Sequence, residues 1–437
     1  MAELRIARSQ VVNQQLGASR TVAFPSDRVR SLFPALNQKP AFIFFDNAAG
    51  AQIPQVVFDA IHRHLLHRNV QRGGRYAKSI EVDDAIARAR DGVGILINAR
   101  HRDEIAFGMN ATSFFRLLSL AIGRTLEARN EIVVTELDHE ANIATWLQLE
   151  REGAKIVWWK MREDNNLHVE DLELLLTSKT RLVACTVASN ALGSIVDVAA
   201  VAKLGHAAGA EVVLDCVHYA PHAIIDVQAF DCDYLICSGY KVFGPHMGFL
   251  WGRLELLTEL PTFREDFVPD APPGKIEAGT FVYENVAGMD AAVSYLETLG
   301  ASLAREEENT TLVSRRDFLV RAMTAIREHE ATLSREMLEV IQAAGAIVYG
   351  VDDPTRLAER VPTLCFNLPN VAPSLVTQTM ADRGIGIRDG HMYSPRLMKR
   401  LGLPTESGAI RASLVHYNTI QEVRKFGRIL AEMKESC

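Results

Sequence analysis

The chain has 437 residues, 48% hydrophobic and 23% charged, which is enough apolar material for two domains at an ordinary globular balance. Lys and Arg number 47 against 54 Asp and Glu, a net charge of −7 with no long basic stretch, so nucleic acid is a poor partner. The six cysteines form no C-x-x-C pair and mostly sit in apolar runs, which predicts reduced thiols in a cytoplasmic protein, with neither a disulfide framework nor a metal site.

The first twenty residues lack the apolar region of a signal peptide. Residues 1–35 read as a peripheral segment packing on the smaller domain, with a short amphipathic helix in "FPSDRVRSLFPAL". "AFIFFDNAAGAQIP" reads as a strand entering a turn, and "QVVFDAIHRHLLHR" has helical spacing. From about residue 80 to 250 helices and strands alternate. The predicted strands are "EIAFGMN", "EIVVTEL", "AKIVWWK", "TRLVACTVAS", "AEVVLDCV", "CDYLICSG" and "GFLWG". Short apolar runs separated by helices predict an α/β fold, a mostly parallel sheet covered on both faces. Two long helical stretches follow, and then a smaller α+β unit with strands "AIVYG", "TLCFNL", "GIGIRDG" and "AIRASLV". The expected division is a large domain over 36–290 and a small C-terminal domain over 291–437. No run of eighteen apolar residues occurs, so no membrane span is expected.

In open parallel sheets, ligands bind at the carboxyl ends of the strands. Asn110, Ala111 and Thr112 stand at one such end, and Asp138, His139 and Asn142 at another. Asn190 follows a third strand, Asp215 and His218 a fourth, and Ser238, Tyr240 and Lys241 a fifth. Lys241 comes after an apolar strand and just before Gly244 and Pro245. A solvated loop lysine is the plain alternative. A lysine in a partly desolvated site, however, loses proton affinity and becomes a usable amine. Its natural partner is an aldehyde, and pyridoxal phosphate (PLP) forms a Schiff base with lysine and takes a carboxylate at its pyridinium nitrogen. Asp215 is the candidate carboxylate, with a turn or N-cap aspartate as the alternative. "NATSFF" offers helix N-terminal amides and a hydroxyl for a phosphate, and Ser238 a further donor; an ordinary N-cap is the alternative there. His139 suits a ring face or a cap.

These landmarks resemble the class V aminotransferases of PLP fold type I, especially the cysteine desulfurase and selenocysteine lyase branch. The motifs are "DNAA" at 46, "HEAN" at 139, "SNALG" at 189, "DCVH" at 215, "DCDYLICSGYK" at 231, "EAGT" at 277 and "RASLVHYNT" at 411. The resemblance implies Lys241 as the Schiff-base lysine, Asp215 at the pyridinium nitrogen and His139 on the ring. It implies Asn190 and His218 at the phenolic oxygen, and Ala111, Thr112 and Ser238 at the phosphate, with Tyr240 beside them. Thr280 is implied at the phosphate of a neighbouring subunit, and with it a homodimer sharing its sites. Arg411 is implied as a bidentate clamp on the carboxylate of a small amino-acid substrate. Asn47, Arg75, His391 and Tyr393 are placed on the same substrate side, Arg75 having a solvated loop as its alternative.

Three positions depart from the family pattern. Tyr240 stands where His is frequent, and His218 where Gln is frequent. Tyr393, in "RDGHMYSPRLM", stands where the desulfurases carry the cysteine that takes the substrate sulfur. A phenol cannot accept sulfur as a thiolate does. The expectation is therefore a desulfurase-like lyase that eliminates a Cβ–S group without a protein persulfide. Epimerisation, transamination and a PLP-holding scaffold are the alternatives. Tyr393 or His391 would protonate the leaving group, unless both are packing residues.

Overall fold

The computed structural model describes residues 24–305 and 314–435. Most of the segment expected at 1–35, and Cys437, lie outside them. The strands, in chain order, are β1 (Ile43–Phe44), β2 (Ile105–Gly108), β3 (Glu131–Thr135), β4 (Lys155–Trp159) and β5 (Thr180–Thr186). They continue as β6 (Glu211–Asp215), β7 (Tyr234–Ser238), β8 (Gly248–Gly252), β9 (Ile347–Tyr349) and β10 (Thr363–Asn367). The last are β11 (Ile385–Gly386), β12 (Arg388–Gly390) and β13 (Ala409–Ser413).

Seven strands form one sheet in the order β2-β8-β7-β6-β5-β3-β4. All run parallel except β8, which is antiparallel to both its neighbours. Their apolar runs are continuous because both faces are buried: β3, β7 and β8 are buried at every residue. The helix Tyr283–Arg305 and the first half of the helix Arg315–Ala343 cover one face.

The smaller unit is a four-stranded antiparallel sheet, β12-β13-β10-β9, with a separate apolar core. The expected boundary near residue 290 falls inside the helix Tyr283–Arg305, whose buried apolar residues from Val286 to Leu303 belong to the first core. The two cores divide instead along the helix Arg315–Ala343. Leu319, Ala322, Met323 and Ile326 pack in the first, and Leu333, Met337, Leu338 and Ile341 in the second. The predicted single strand "GIGIRDG" is two: β11 pairs with β1, and β12 with β13. Among the described residues no helix is long and apolar enough to cross a membrane.

Candidate active site

β7 is buried between β6 and β8, and the chain reverses at its end to return as β8. The Gly239 amide donates to the Met247 carbonyl at 2.9 Å, and the Val242 and Gly244 amides both donate to the Gly239 carbonyl at 2.9 Å. A Cβ on Gly239 would lie 2.9 Å from the Pro245 carbonyl oxygen, so the turn closes only around glycine. Lys241 is thereby held 7% exposed, and no described residue hydrogen-bonds its amine. Burial first, and Arg411 second, pull its pKa down to about 8.

A cleft enclosing ≈ 530 Å³, partly open to solvent, gathers the strand-end residues. Asn110, Ala111, Thr112, His139, Asn190, Asp215, His218, Ser238, Tyr240 and Lys241 all line it. Asp215 ends β6 with 6% of its surface exposed, and one carboxylate oxygen accepts the Val217 amide at 3.0 Å. Burial lifts its pKa to about 6, against the pull of Lys241. His139 accepts the Ala141 amide at Nδ1 (3.0 Å), which leaves its proton on Nε2. Burial, then the cations Lys241 and Arg411, lower its pKa to about 4, so the ring is neutral at pH 7.

The opposite wall is the start of the helix Ala111–Gly123. Asn110 is the N-cap, its side chain accepting the Ser113 amide at 2.9 Å. The Ala111 and Thr112 amides remain without partners in the helix, as first-turn donors do. This end sits in the cleft because β8 carries Gly248: a Cβ there would lie 2.6 Å from the Asn110 carbonyl carbon.

The neighbouring sheet of the smaller unit is arranged differently. Arg411 on β13 stands directly opposite Arg388 on β12. Asp46 lies between them, accepting from Arg411 Nη2 at 2.9 Å and from Arg388 Nη2 at 2.8 Å. Arg411 is 1% exposed and also donates through Nη1 to the Asn190 carbonyl at 2.9 Å, while its Nε has no partner. Asn190 in turn donates from Nδ2 to the Met392 carbonyl (2.7 Å) and accepts from Ser394 at Oδ1 (3.2 Å). The Tyr393 ring stacks on His139, centroids 5.6 Å apart. The Glu140 amide donates to the Tyr393 carbonyl at 2.9 Å, and the Tyr393 amide to His391 Nδ1 at 3.1 Å. Met392 and Tyr393 both have positive φ, 51° and 59°, which costs about 1–2 kcal/mol each. These contacts hold the loop in that shape.

Other expected residues lie away from the cleft wall. Asn47 is buried and donates from Nδ2 to the Ser413 carbonyl (2.8 Å) and to Asn418 (3.1 Å), bolting the early loop to the small domain. Thr280 is exposed and accepts from Gln71 at 2.7 Å. Arg75 is exposed on the same loop as Gln71. Phe115, Thr186, Ala188 and Val217 line the cleft without having been singled out from the sequence, and Asp46 was missed as the partner of Arg411. The strand-end rule reaches Thr186, which ends β5, and Asp46 opens the "DNAA" motif, which does not name its partner; Phe115, Ala188 and Val217 have no sequence signal.

The Aminotransferase class-V family model matches residues 43–316 and 317–426. The chain is 35% identical over 412 residues to the aminotransferase-like protein FGM3 of Gibberella zeae, covering 92% of this chain and 96% of that one. It is 30% identical over 425 residues to a probable cysteine desulfurase of Streptomyces coelicolor, covering 91% and 94%. The apo structure of the cysteine desulfurase from Thermococcus onnurineus NA1 superposes with a TM-score of 0.84 at 26% identity, over 95% of this chain and 100% of that one.

Proposed function

Because this chain belongs to the class-V aminotransferase family, PLP-dependent enzymes acting on amino acids, we propose that it is a lyase releasing sulfur from Cβ of an amino acid by elimination. The single observation that carries this reading is Tyr393. A phenol, not a thiol, lies over His139 at the lip of the cleft. The five described cysteines are all buried, and burial raises the pKa of each thiol, so none is a ready sulfur acceptor.

The cleft fits the coenzyme. The Ala111 and Thr112 amides with the Thr112 and Ser238 hydroxyls would hold its phosphate. Asp215 would take its ring nitrogen, and that cation would restore the carboxylate which burial disfavours. His139, neutral and edge-anchored, would cover the ring beside Tyr240, and Asn190 and His218 would face the phenolic oxygen. The His218 Nδ1 atom, buried and without a partner, supports this placement. When bound, the coenzyme supplies an aldehyde for Lys241 and a sink for the electron pair left at Cα.

The chain's own residues do the rest. Arg411 receives the substrate carboxylate, sharing its guanidinium with Asp46. Lys241, whose pKa of about 8 leaves part of it unprotonated near neutrality, takes the Cα proton. The Cβ–S bond then breaks, the sulfur leaves with the bonding pair, and the Tyr393 hydroxyl or His391 returns a proton to it. Addition of water yields pyruvate and ammonia. In a homodimer, Thr280 and Arg75 would serve the neighbouring subunit's cleft, which accounts for their distance from their own. The test is to supply a panel of cysteine S-conjugates and assay pyruvate and ammonia; no turnover on any of them ends the lyase reading.

Transamination is the second reading, favoured by the similarity to an aminotransferase-like protein. An amino donor would then convert the bound coenzyme to its amine form with no pyruvate released. Epimerisation would instead show as loss of Cα deuterium to water without net product.

A further inference from the structure

Behind the cleft lie two buried ionisable groups that the chemistry above does not use. His222 and Glu330 are each 2% exposed and share a hydrogen bond, Nδ1 to Oε2, of 2.9 Å. Glu330 sits on the helix Arg315–Ala343 between Ile326 of the first core and Leu333 of the second. Its other oxygen, Oε1, has no partner. The His222 ring packs edge to face on His218, centroids 5.4 Å apart and planes at 78°. His218 lines the cleft, meets the Thr363 hydroxyl with Nε2 at 2.9 Å, and keeps Nδ1 buried and unpartnered. A line of contacts therefore runs from a long helix to the wall of the cleft.

The charged and ionisable groups facing this line are few. Arg327 acts on Glu330 and His222, the His416 backbone favours the charged Glu330 carboxylate while its ring acts on His222, Lys241 acts on both His218 and His222, and Arg411 acts on His218. Burial raises the Glu330 carboxyl and lowers both imidazoles. The carboxyl bonds His222 Nδ1 in either protonation state, donating to it when protonated and accepting from it when ionised.

We propose that Glu330 is a positioning residue for the coenzyme: through His222 it holds the His218 ring so that its Nδ1–H points into the cleft as a donor to the phenolic oxygen. The Thr363 hydroxyl then donates to Nε2 of His218 and sets the same tautomer. This inference rests on the reading of the cleft as a PLP site. A donor at that oxygen stabilises its anionic form, so misplacing it makes loss of the coenzyme's titrating proton harder.

The experiment uses the full chain loaded with PLP, and reads the pH midpoint of the visible absorption band and the dissociation of the coenzyme. Glu330→Leu removes the hydrogen-bond partner of His222 and is expected to raise the midpoint by about one pH unit and weaken PLP retention roughly tenfold. Glu330→Gln keeps an amide that can donate to or accept from His222 Nδ1 and is expected to restore the wild-type midpoint. A folded Glu330→Leu protein with the wild-type midpoint overturns the inference, as does a Glu330→Gln protein that behaves like Glu330→Leu. Should Glu330→Leu fail to fold, His222→Phe is read instead, with the same upward shift expected and an unmoved midpoint overturning the inference. A wild-type chain with no visible band sinks the PLP reading and this one together; a normal wild-type band with unmoved variants sinks only this one.

Discussion

At one end of the cleft, Asp215 and Ser238 project from the tips of adjacent parallel strands, and the helix that starts at Ala111 faces them. Beside it, joined through the Asn190 carbonyl, Arg388 and Arg411 stand opposite each other on antiparallel strands, with Asp46 of a third segment between them. The first end leaves its donors open: the Lys241 amine, the first-turn amides and His218 Nδ1 have no partners among the described residues. At the second, both guanidinium Nη groups of Arg411 are already paired, and only its Nε is without a partner among the described residues. Two cations facing across a ladder repel, and Asp46 converts that repulsion into a shared ion pair. Under the proposed assignment the coenzyme end is ready for its ligand as folded, whereas a substrate carboxylate would have to share or displace Asp46.

The comparison can be broken most severely at Lys241. Lys241→Ala should abolish covalent capture of PLP, read as loss of the borohydride-reduced adduct by mass spectrometry; an adduct on another lysine would overturn the assignment. Next comes stability of the apoprotein. Asp46→Ala leaves the buried Arg411 charge without its carboxylate and should cost about 3–5 kcal/mol, read by denaturant unfolding. Asp215→Asn should instead stabilise the apoprotein slightly at pH 8. The sign follows from the pKa, raised on folding from 3.8 to about 6: the wild-type carboxyl loses stability as pH rises through 6, and the advantage of the variant should vanish near pH 4. Equal destabilisation by both substitutions would erase the distinction between the two ends.

The rate of PLP capture sharpens it further. Only the unprotonated Lys241 amine attacks an aldehyde, so the rate should rise about tenfold per pH unit below 8 and flatten above, where the amine is free. A plateau reached only near pH 10 would mean an ordinary exposed lysine. The smallest effect is expected at Tyr393. Tyr393→Phe keeps the ring on His139 but removes its hydroxyl; if that hydroxyl rather than His391 is the acid, turnover of conjugates with poor thiol leaving groups should fall about tenfold, and of good ones hardly at all.

The coenzyme end was legible in the sequence because β3, β5, β6 and β7 are uninterrupted apolar runs whose following residues must emerge at one edge of the sheet. At the other end the resemblance reached Arg411, but not the carboxylate that holds it. Asp46 reads as part of a turn, and nothing in its neighbours points to residues 388 and 411 far along the chain. The split of "GIGIRDG" into β11 and β12 was hidden for a related reason, since an alternating run does not say which neighbour each half pairs with. Asn47, read as a substrate residue, sits instead in hydrogen bonds to Ser413 and Asn418.

By itself the sequence determined the alternation of strand and helix, the parallel sheet, the lysine in its glycine turn and the set of groups at the strand tips. These follow from local periodicity and turn geometry, which a short window of residues carries in full. Only the tertiary structure decided which carboxylate holds Arg411, where the two cores divide along one helix, and that Glu330 stands behind His222. Those depend on contacts between segments a hundred or more residues apart, where side-chain packing and shared burial, rather than local preference, select the partner.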